Sequence, residues 1–338
     1  MRYFYRYLLI TVSAFFLLGW ILPQWLPIHY PRVLGPVFSA DIRKDFQNLI
    51  DEQQPQVLLL GNSVINWGMD ESQFAQLTSQ KTLKFGFRGT ASAYWYLMIK
   101  SNIATASKPP RYLLLFFLDN LLTIPNFGVN GAYHPMIDEI AGENETVLLQ
   151  KAYMNLLDPV EGYLDSHFPF FGERQTLKDK VDNRLKYTLP RLFQNCAKPC
   201  LDKALDAVFD EKNMLPLMLQ QNAINLGRWS VDEWDFNALV EKSFIPDMIQ
   251  ITREKRIKLI FVRGKNDRVM TLEDESPDMR KYFQDMADYL KKEGVPLLDI
   301  AHDPALTLEM FLDDMHLNPQ GKLVFTRLVA EGFLSLLK

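Results

Sequence analysis

The chain has 338 residues, room for one large domain or for two of roughly 150 residues each. Hydrophobic residues make up 48% and no period repeats, so a sizeable core is available and a disordered or repeat protein is excluded. With 37 basic against 41 acidic residues the formal net charge is -4, which leaves no general basic footprint, and no nucleic-acid partner is expected.

Residues 7–22 carry no charge, and Pro23-Gln24-Trp25-Leu26-Pro27 extends the apolar character. At about 1.5 Å per residue a membrane span needs about 20 residues, so this stretch suffices only with its flanks. Arg2 and Arg6 precede it, which favours an amino terminus in the cytoplasm, and Tyr3, Tyr5, Trp20 and Trp25 sit where interfacial aromatics belong. The pattern predicts a membrane anchor over residues 1–28 that leaves the rest of the chain periplasmic or extracellular. A cleaved signal peptide is the alternative, although no small-x-small site closely follows Leu22. In that compartment Cys196 and Cys200, four apart around Lys198-Pro199, form a local disulfide or remain two ordinary thiols. No metal-ligand set accompanies them, and neither metal nor cofactor is expected.

Residues 29–54 form a connector and a leading helix over 41–51. The apolar run Val57-Leu58-Leu59-Leu60 has no alternation, as suits a parallel strand covered on both faces. It breaks at Gly61-Asn62-Ser63, and ligands of open α/β sheets sit at such carboxyl ends. Asp70 caps a helix over 71–78, and a second strand follows over 82–87. Gly86-Phe87-Arg88-Gly89-Thr90 then allows a sharp bend with an exposed amide, so Gly89 is a candidate oxyanion donor or simply a corner. A helix over 91–107 ends at Pro109-Pro110, and residues 111–118 form the third strand, closing at Asp119-Asn120.

From about 123 to 250 the strand rhythm stops, and the helical patterns and aromatics (Phe168, Phe170, Phe171) predict a mainly helical insertion that covers a substrate site or docks a partner. Residues 258–262 make the fourth strand, before Arg263-Gly264-Lys265-Asn266-Asp267. Ser276-Pro277 opens a helix that stops at Gly294, residues 295–299 make the fifth strand, and Asn318-Pro319 opens the closing helix to 337. The whole predicts an α/β domain over 55–338: a five-stranded parallel sheet in flavodoxin-like order 2-1-3-4-5 with helices on both faces.

An acyl-transferring serine needs a base, a carboxylate that orients the base, and donors for the oxyanion. Ser63 is the candidate nucleophile. His316, just before the last helix, is the candidate base, with Asp313 three residues earlier on the same turn; His302, after the fifth strand, is the alternative base.

Gly61-Asn62-Ser63, Gly89, and Asp313-Asp314-Met315-His316 with its trailing Leu317-Asn318-Pro319-Gln320-Gly321 resemble, in type and order, the SGNH hydrolase-like superfamily. That resemblance covers roughly residues 55–125 and 255–337. It implies Ser63, His316 and Asp313 as the catalytic set, with the Ser63 and Gly89 amides and an asparagine side chain around the oxyanion. The third block departs from the pattern, because Asp119-Asn120 follows the third strand while Gly264-Lys265-Asn266-Asp267 spells the family's Gly-x-Asn-Asp after the fourth. Asn120 and Asn266 both remain possible donors, and the sheet order favours Asn120.

The anchor and insertion make the outline similar to cell-envelope acyl-transfer proteins, such as the D-alanine transfer protein of teichoic-acid modification and the alginate or peptidoglycan O-acetylation proteins. By that resemblance Ser63 carries an acetyl or similar acyl group to a polysaccharide hydroxyl, beside a multi-spanning membrane O-acyltransferase, with Arg88 and Arg263 as glycan or carboxylate contacts. A membrane-anchored esterase or deacetylase, and a non-catalytic assembly subunit, are the alternatives.

Overall fold

The computed structural model describes residues 2–21, 42–129, 134–142, 145–154, 163–164, 167–168 and 234–337. Five strands, β1 (Val57–Gly61), β2 (Thr82–Gly86), β3 (Tyr112–Phe117), β4 (Lys258–Arg263) and β5 (Leu297–Asp299), form one parallel sheet in the order β2-β1-β3-β4-β5. This is the expected order, and it sets β1 between β2 and β3.

The helices are α1 (Arg2–Ile21), α2 (Asp45–Gln53), α3 (Ser63–Gly68), α4 (Glu71–Thr78), α5 (Ser92–Met98), α6 (His134–Ile140), the single turn α7 (Thr146–Leu148), α8 (Phe236–Leu239), α9 (Ile245–Glu254), α10 (Pro277–Glu293) and α11 (Pro319–Ser335). The apolar runs of β1 and β3 supply both faces of the sheet. Leu58, Leu60, Leu113 and Leu115 pack with Trp95 of α5, Met248 of α9 and Tyr282 of α10. Val57, Leu59, Leu114 and Phe116 pack with Phe74 of α4 and Phe325 and Phe333 of α11. Period-two alternation between two buried faces is why no polar residue interrupts these strands.

Local chemistry sets the boundaries. The Asp70 carboxylate caps α4 by accepting the Gln73 amide at 2.9 Å, the Ser276 hydroxyl accepts the Met279 amide at 3.1 Å, and Asn318 Oδ1 accepts the Gly321 amide at 2.9 Å. β5 starts two residues later than predicted, because the Val295 amide bonds back to Leu290 O at 2.9 Å and Pro296 has no amide to give. The helix predicted over 91–107 is α-helical only to Met98 and then widens into a π turn over Ile99–Ile103, which sets the buried Asn102 to accept the Gln47 amide of α2 at 3.2 Å.

In the region predicted as a helical insertion, the described residues include α6, α7 with a π turn over Leu149–Met154, and α8, and Ile137, Ile140 and Leu148 pack into the main core. α9, counted partly in the insertion from sequence, is the crossover onto β4. Cys196, Cys200, Phe170 and Phe171 lie outside the described residues, as do the connector over 29–40 and the first residue of the helix predicted over 41–51. Helix α1 falls where the anchor is predicted, and that prediction also uses residues 22–28, which lie outside the described residues. Among the described residues no helix is long and apolar enough to cross a membrane.

Candidate active site

The site is built on the carboxyl end of β1. Asn62 leaves the strand and caps α3, its Oδ1 accepting the Val64 amide at 3.0 Å, so Ser63 becomes the first helical residue. The sequence pattern does not predict this immediate turn into a helix. Asn66, one turn on, donates from Nδ2 to Gly86 O at 3.2 Å. A Cβ at Gly86 would stand 2.0 Å from Asn66 Oδ1, so a side chain at residue 86 would displace the Asn66 amide from its bond to Gly86 O.

The opposing side chain comes from a tight loop before α11. Phe311 and Leu317 bridge, and within them the Leu312 amide donates to His316 O at 2.7 Å. Inside this loop Asp313 Oδ1 accepts the amides of Met315 at 3.0 Å and His316 at 2.8 Å, while Oδ2 lies 2.7 Å from His316 Nδ1. The other ring nitrogen, Nε2, lies 2.9 Å from Ser63 Oγ. An ionised carboxylate only accepts, so Nδ1 carries the imidazole proton and Nε2 is left to accept from the serine hydroxyl. Burial works to raise the Asp313 pKa, but the hydrogen bonds from His316 and from the two amides outweigh it and hold the carboxyl below its ordinary value. The half-buried Trp67, four residues after Ser63, sets its ring 5.9 Å from that of His316 at 51°.

The turns after β2 and β3 flank that of β1. Phe87 N donates to Gly61 O at 3.0 Å, and two residues later Gly89 takes φ 69°, a left-handed conformation that glycine enters without a Cβ penalty. After β3, Asp119 takes φ 48° without being glycine, and Asn120 is fully buried. Asn120 O accepts the Thr123 amide at 2.9 Å and the Thr123 hydroxyl at 3.1 Å, and that hydroxyl also lies 2.7 Å from Tyr282 Oη.

Asn266 is engaged elsewhere. Its Nδ2 donates to Asp119 Oδ1 at 2.8 Å, its Oδ1 accepts the Val269 amide at 2.9 Å, and the strand it follows, β4, is separated from β1 by β3. Of the two asparagines left open by the sequence, Asn120 therefore follows the strand beside Ser63, while Asn266 supports the residue before Asn120. Burial raises the Asp119 pKa; Arg263, Arg268 and the Asn266 hydrogen bond oppose the rise and Asp314 adds to it.

The structure brings Ser63, His316 and Asp313 together, and it sets Arg263 apart from them. That side chain is 4% exposed, pairs with Glu275 and with Asp299 at 3.1 Å, and lies 3.2 Å from the centroid of the Phe283 ring. A guanidinium so enclosed holds β4, β5 and α10 together and is not open to a glycan, contrary to the sequence expectation. Arg88 is exposed in the turn before Gly89. His302, the alternative base, places Nε2 3.1 Å from Glu275 Oε1 and so belongs to the Arg263 network. Among the described residues no group of three or more His, Cys, Asp or Glu side chains is arranged to hold a metal ion.

No family model matches the chain, and no curated protein does. Solved structures do match. A candidate acylhydrolase from Bacteroides fragilis is 12% identical, with 88% of this chain and 100% of that one covered at a TM-score of 0.37. A lipolytic protein of the G-D-S-L family from Desulfitobacterium hafniense is 8% identical over 81% of this chain and 97% of that one, with a TM-score of 0.36. A GDSL-like lipase from Bacteroides thetaiotaomicron is 11% identical over 86% and 98%, also at 0.36. Likeness at this level carries no argument about activity, which rests on the side chains.

Those side chains place a hydroxyl, an imidazole and a carboxylate in hydrogen-bonded sequence, the arrangement that acyl-transfer chemistry at a serine requires. Ser63, His316 and Asp313 are visible in the sequence, whereas Trp67, Arg268 and the part played by Asn266 are not. The literal Gly264-Lys265-Asn266-Asp267 is the one signal for Asn266, and it points to a rival oxyanion donor.

Proposed function

We propose that this chain is a serine-dependent acyl-transfer enzyme of SGNH type that moves an acetyl or similar acyl group to a polysaccharide hydroxyl of the cell envelope. One observation carries the reading: His316 bridges Asp313 and Ser63 at 2.7 and 2.9 Å, one contact through each ring nitrogen. In the first half-reaction Ser63 Oγ attacks the acyl carbonyl of the donor while its proton passes to His316 Nε2. The bond to the donor oxygen breaks, and His316 returns the proton to that leaving oxygen. In the second half-reaction the acceptor hydroxyl gives its proton to His316, attacks the acyl-serine, and releases Ser63 reprotonated. Backbone amides at Ser63 and Gly89 and the Asn120 side chain are the proposed oxyanion donors.

The proposed setting is a membrane surface, with the amino terminus cytoplasmic, the catalytic domain outside, and a multi-spanning O-acyltransferase as donor. Its support is the charge-free stretch from residue 7 to 22 and helix α1, on which Tyr7, Leu8, Leu9, Ile10 and Leu17 are exposed.

Intact mass of the protein, wild type beside Ser63→Ala, after exposure to an activated acetyl donor tests the proposal. The expected result is a Ser63-dependent adduct that decays faster with an oligosaccharide acceptor. Equally fast decay in water alone converts the reading to an esterase, and absence of an adduct, with Ser63→Ala fully functional in cells, converts it to a non-catalytic subunit.

A further inference from the structure

The segment after β4, residues 264–269, touches two separate parts of the site. Toward β3, Asn266 Nδ2 donates to Asp119 Oδ1 at 2.8 Å, across 147 positions of sequence. Asp119 sits at φ 48°, a left-handed region that aspartate enters more readily than most residues but still at a cost, and the Asn266 contact holds it there from another strand. Toward α11, the Asp267 amide donates to Asp314 O at 3.0 Å, and the Arg268 guanidinium pairs with Asp314 Oδ2. The segment is itself closed by Val269 N donating to Asn266 Oδ1 at 2.9 Å, so both sets of contacts issue from one tight turn.

We infer that this turn is a brace, with Asn266 and Arg268 as positioning residues: Asn266 sets the Asp119-Asn120 corner and Arg268 sets the loop that carries Asp313 and His316. The catalytic interpretation rests on the proposed acyl-transfer reading. Neither residue needs to touch substrate. Catalysis of this kind tolerates little displacement, and a shift of about 1 Å costs on the order of 100-fold in rate.

The test is a charge exchange with two readouts. Asn266→Asp sets a carboxylate against Asp119 and removes the donor, whereas Asp119→Asn with Asn266→Asp restores a donor and an acceptor in reversed order. Asparagine also tolerates the left-handed backbone at 119. For Asn266→Asp the expectation is a kcat for aryl acetate hydrolysis reduced on the order of 10- to 100-fold with KM unchanged, and recovery to within a few-fold of wild type in the double variant. Hydrogen exchange is expected to quicken at residues 117–123 in the single variant and to return to normal in the double. Arg268→Gln, a half-exposed position where folding is not at stake, is expected to quicken exchange at 312–318 and lower kcat severalfold.

Unchanged exchange in both single variants overturns the brace whatever the activity, as does a double variant that folds without recovering. If Asn266→Asp does not fold, the double variant and Arg268→Gln decide the matter. A wild-type protein no more active than Ser63→Ala sinks the acyl-transfer reading alone, because the exchange measurements still judge the brace.

Discussion

The loop that carries His316 and the paired turns after β3 and β4 do comparable work by different means. In the first, the contacts on the catalytic pair itself are local: Asp313 accepts from two amides within three residues and lies against the ring of His316, and the loop closes between Leu312 and His316, with Asp267 and Arg268 reaching it only at Asp314. In the second, the conformation of Asp119 depends on Asn266, which arrives from another strand. A carboxylate and imidazole joined within one turn can be read from spacing, whereas a corner held from a distance needs the sheet order first.

Removing the groups that act directly should break the local half most severely. Ser63→Ala and His316→Ala are each expected to lower kcat on the order of 10⁴-fold or more, measured by single-turnover acylation with an activated ester. Retention of more than a tenth of wild-type acylation by either would sever the geometry from the chemistry. The distant half should respond less. Asn120→Ala is expected to lower kcat on the order of 100- to 1000-fold if its side chain meets the oxyanion, with KM little altered. A loss confined to KM would reassign Asn120 to binding. Trp67 tests how self-sufficient the His316 loop is, because it lies beside the imidazole from outside that loop. Aromatic contacts of this type contribute about 0.5–1.5 kcal/mol, so Trp67→Ala is expected to lower acylation roughly two- to tenfold.

Much of this was legible in the chain. The apolar runs at 57–60 and 111–118 announce strands buried on both faces, and Asp70, Ser276 and Asn318 announce helix starts because each cap acts within three residues. Asp313 and His316 belong to the same class of signal. Arg263 does not: an arginine at a strand end looks like a ligand for an acidic substrate, and only the arrival of Glu275, Asp299 and Phe283 around it shows a buried structural cation. The widening of the helix after Met98 was equally hidden, since the Asn102–Gln47 contact joins residues 55 apart. Asn266 carried a visible motif whose meaning depended on which strand neighbours which.

Each region carries an aspartate, and the two have opposite pH behaviour. Asp313 has a folded pKa below its unfolded value of about 3.9, so it contributes stability above that pH, and the contribution is lost as pH falls through the folded value. Asp119 has a folded pKa raised chiefly by burial, so its contribution is present below about 3.9 and is lost as pH rises through the folded value. Thermal melting should therefore separate the two substitutions. Asp313→Asn is expected to lower the melting temperature at pH 7, with the deficit shrinking on acidification, because the protonated wild type loses the same charge. Asp119→Asn keeps an oxygen to accept from Asn266 and removes a buried charge, so it is expected to raise the melting temperature at pH 7, with the gain shrinking toward pH 4. If both substitutions shift stability in the same direction at pH 7, the difference between a carboxylate held by its own turn and one held from a distance does not lie in how each charge is compensated.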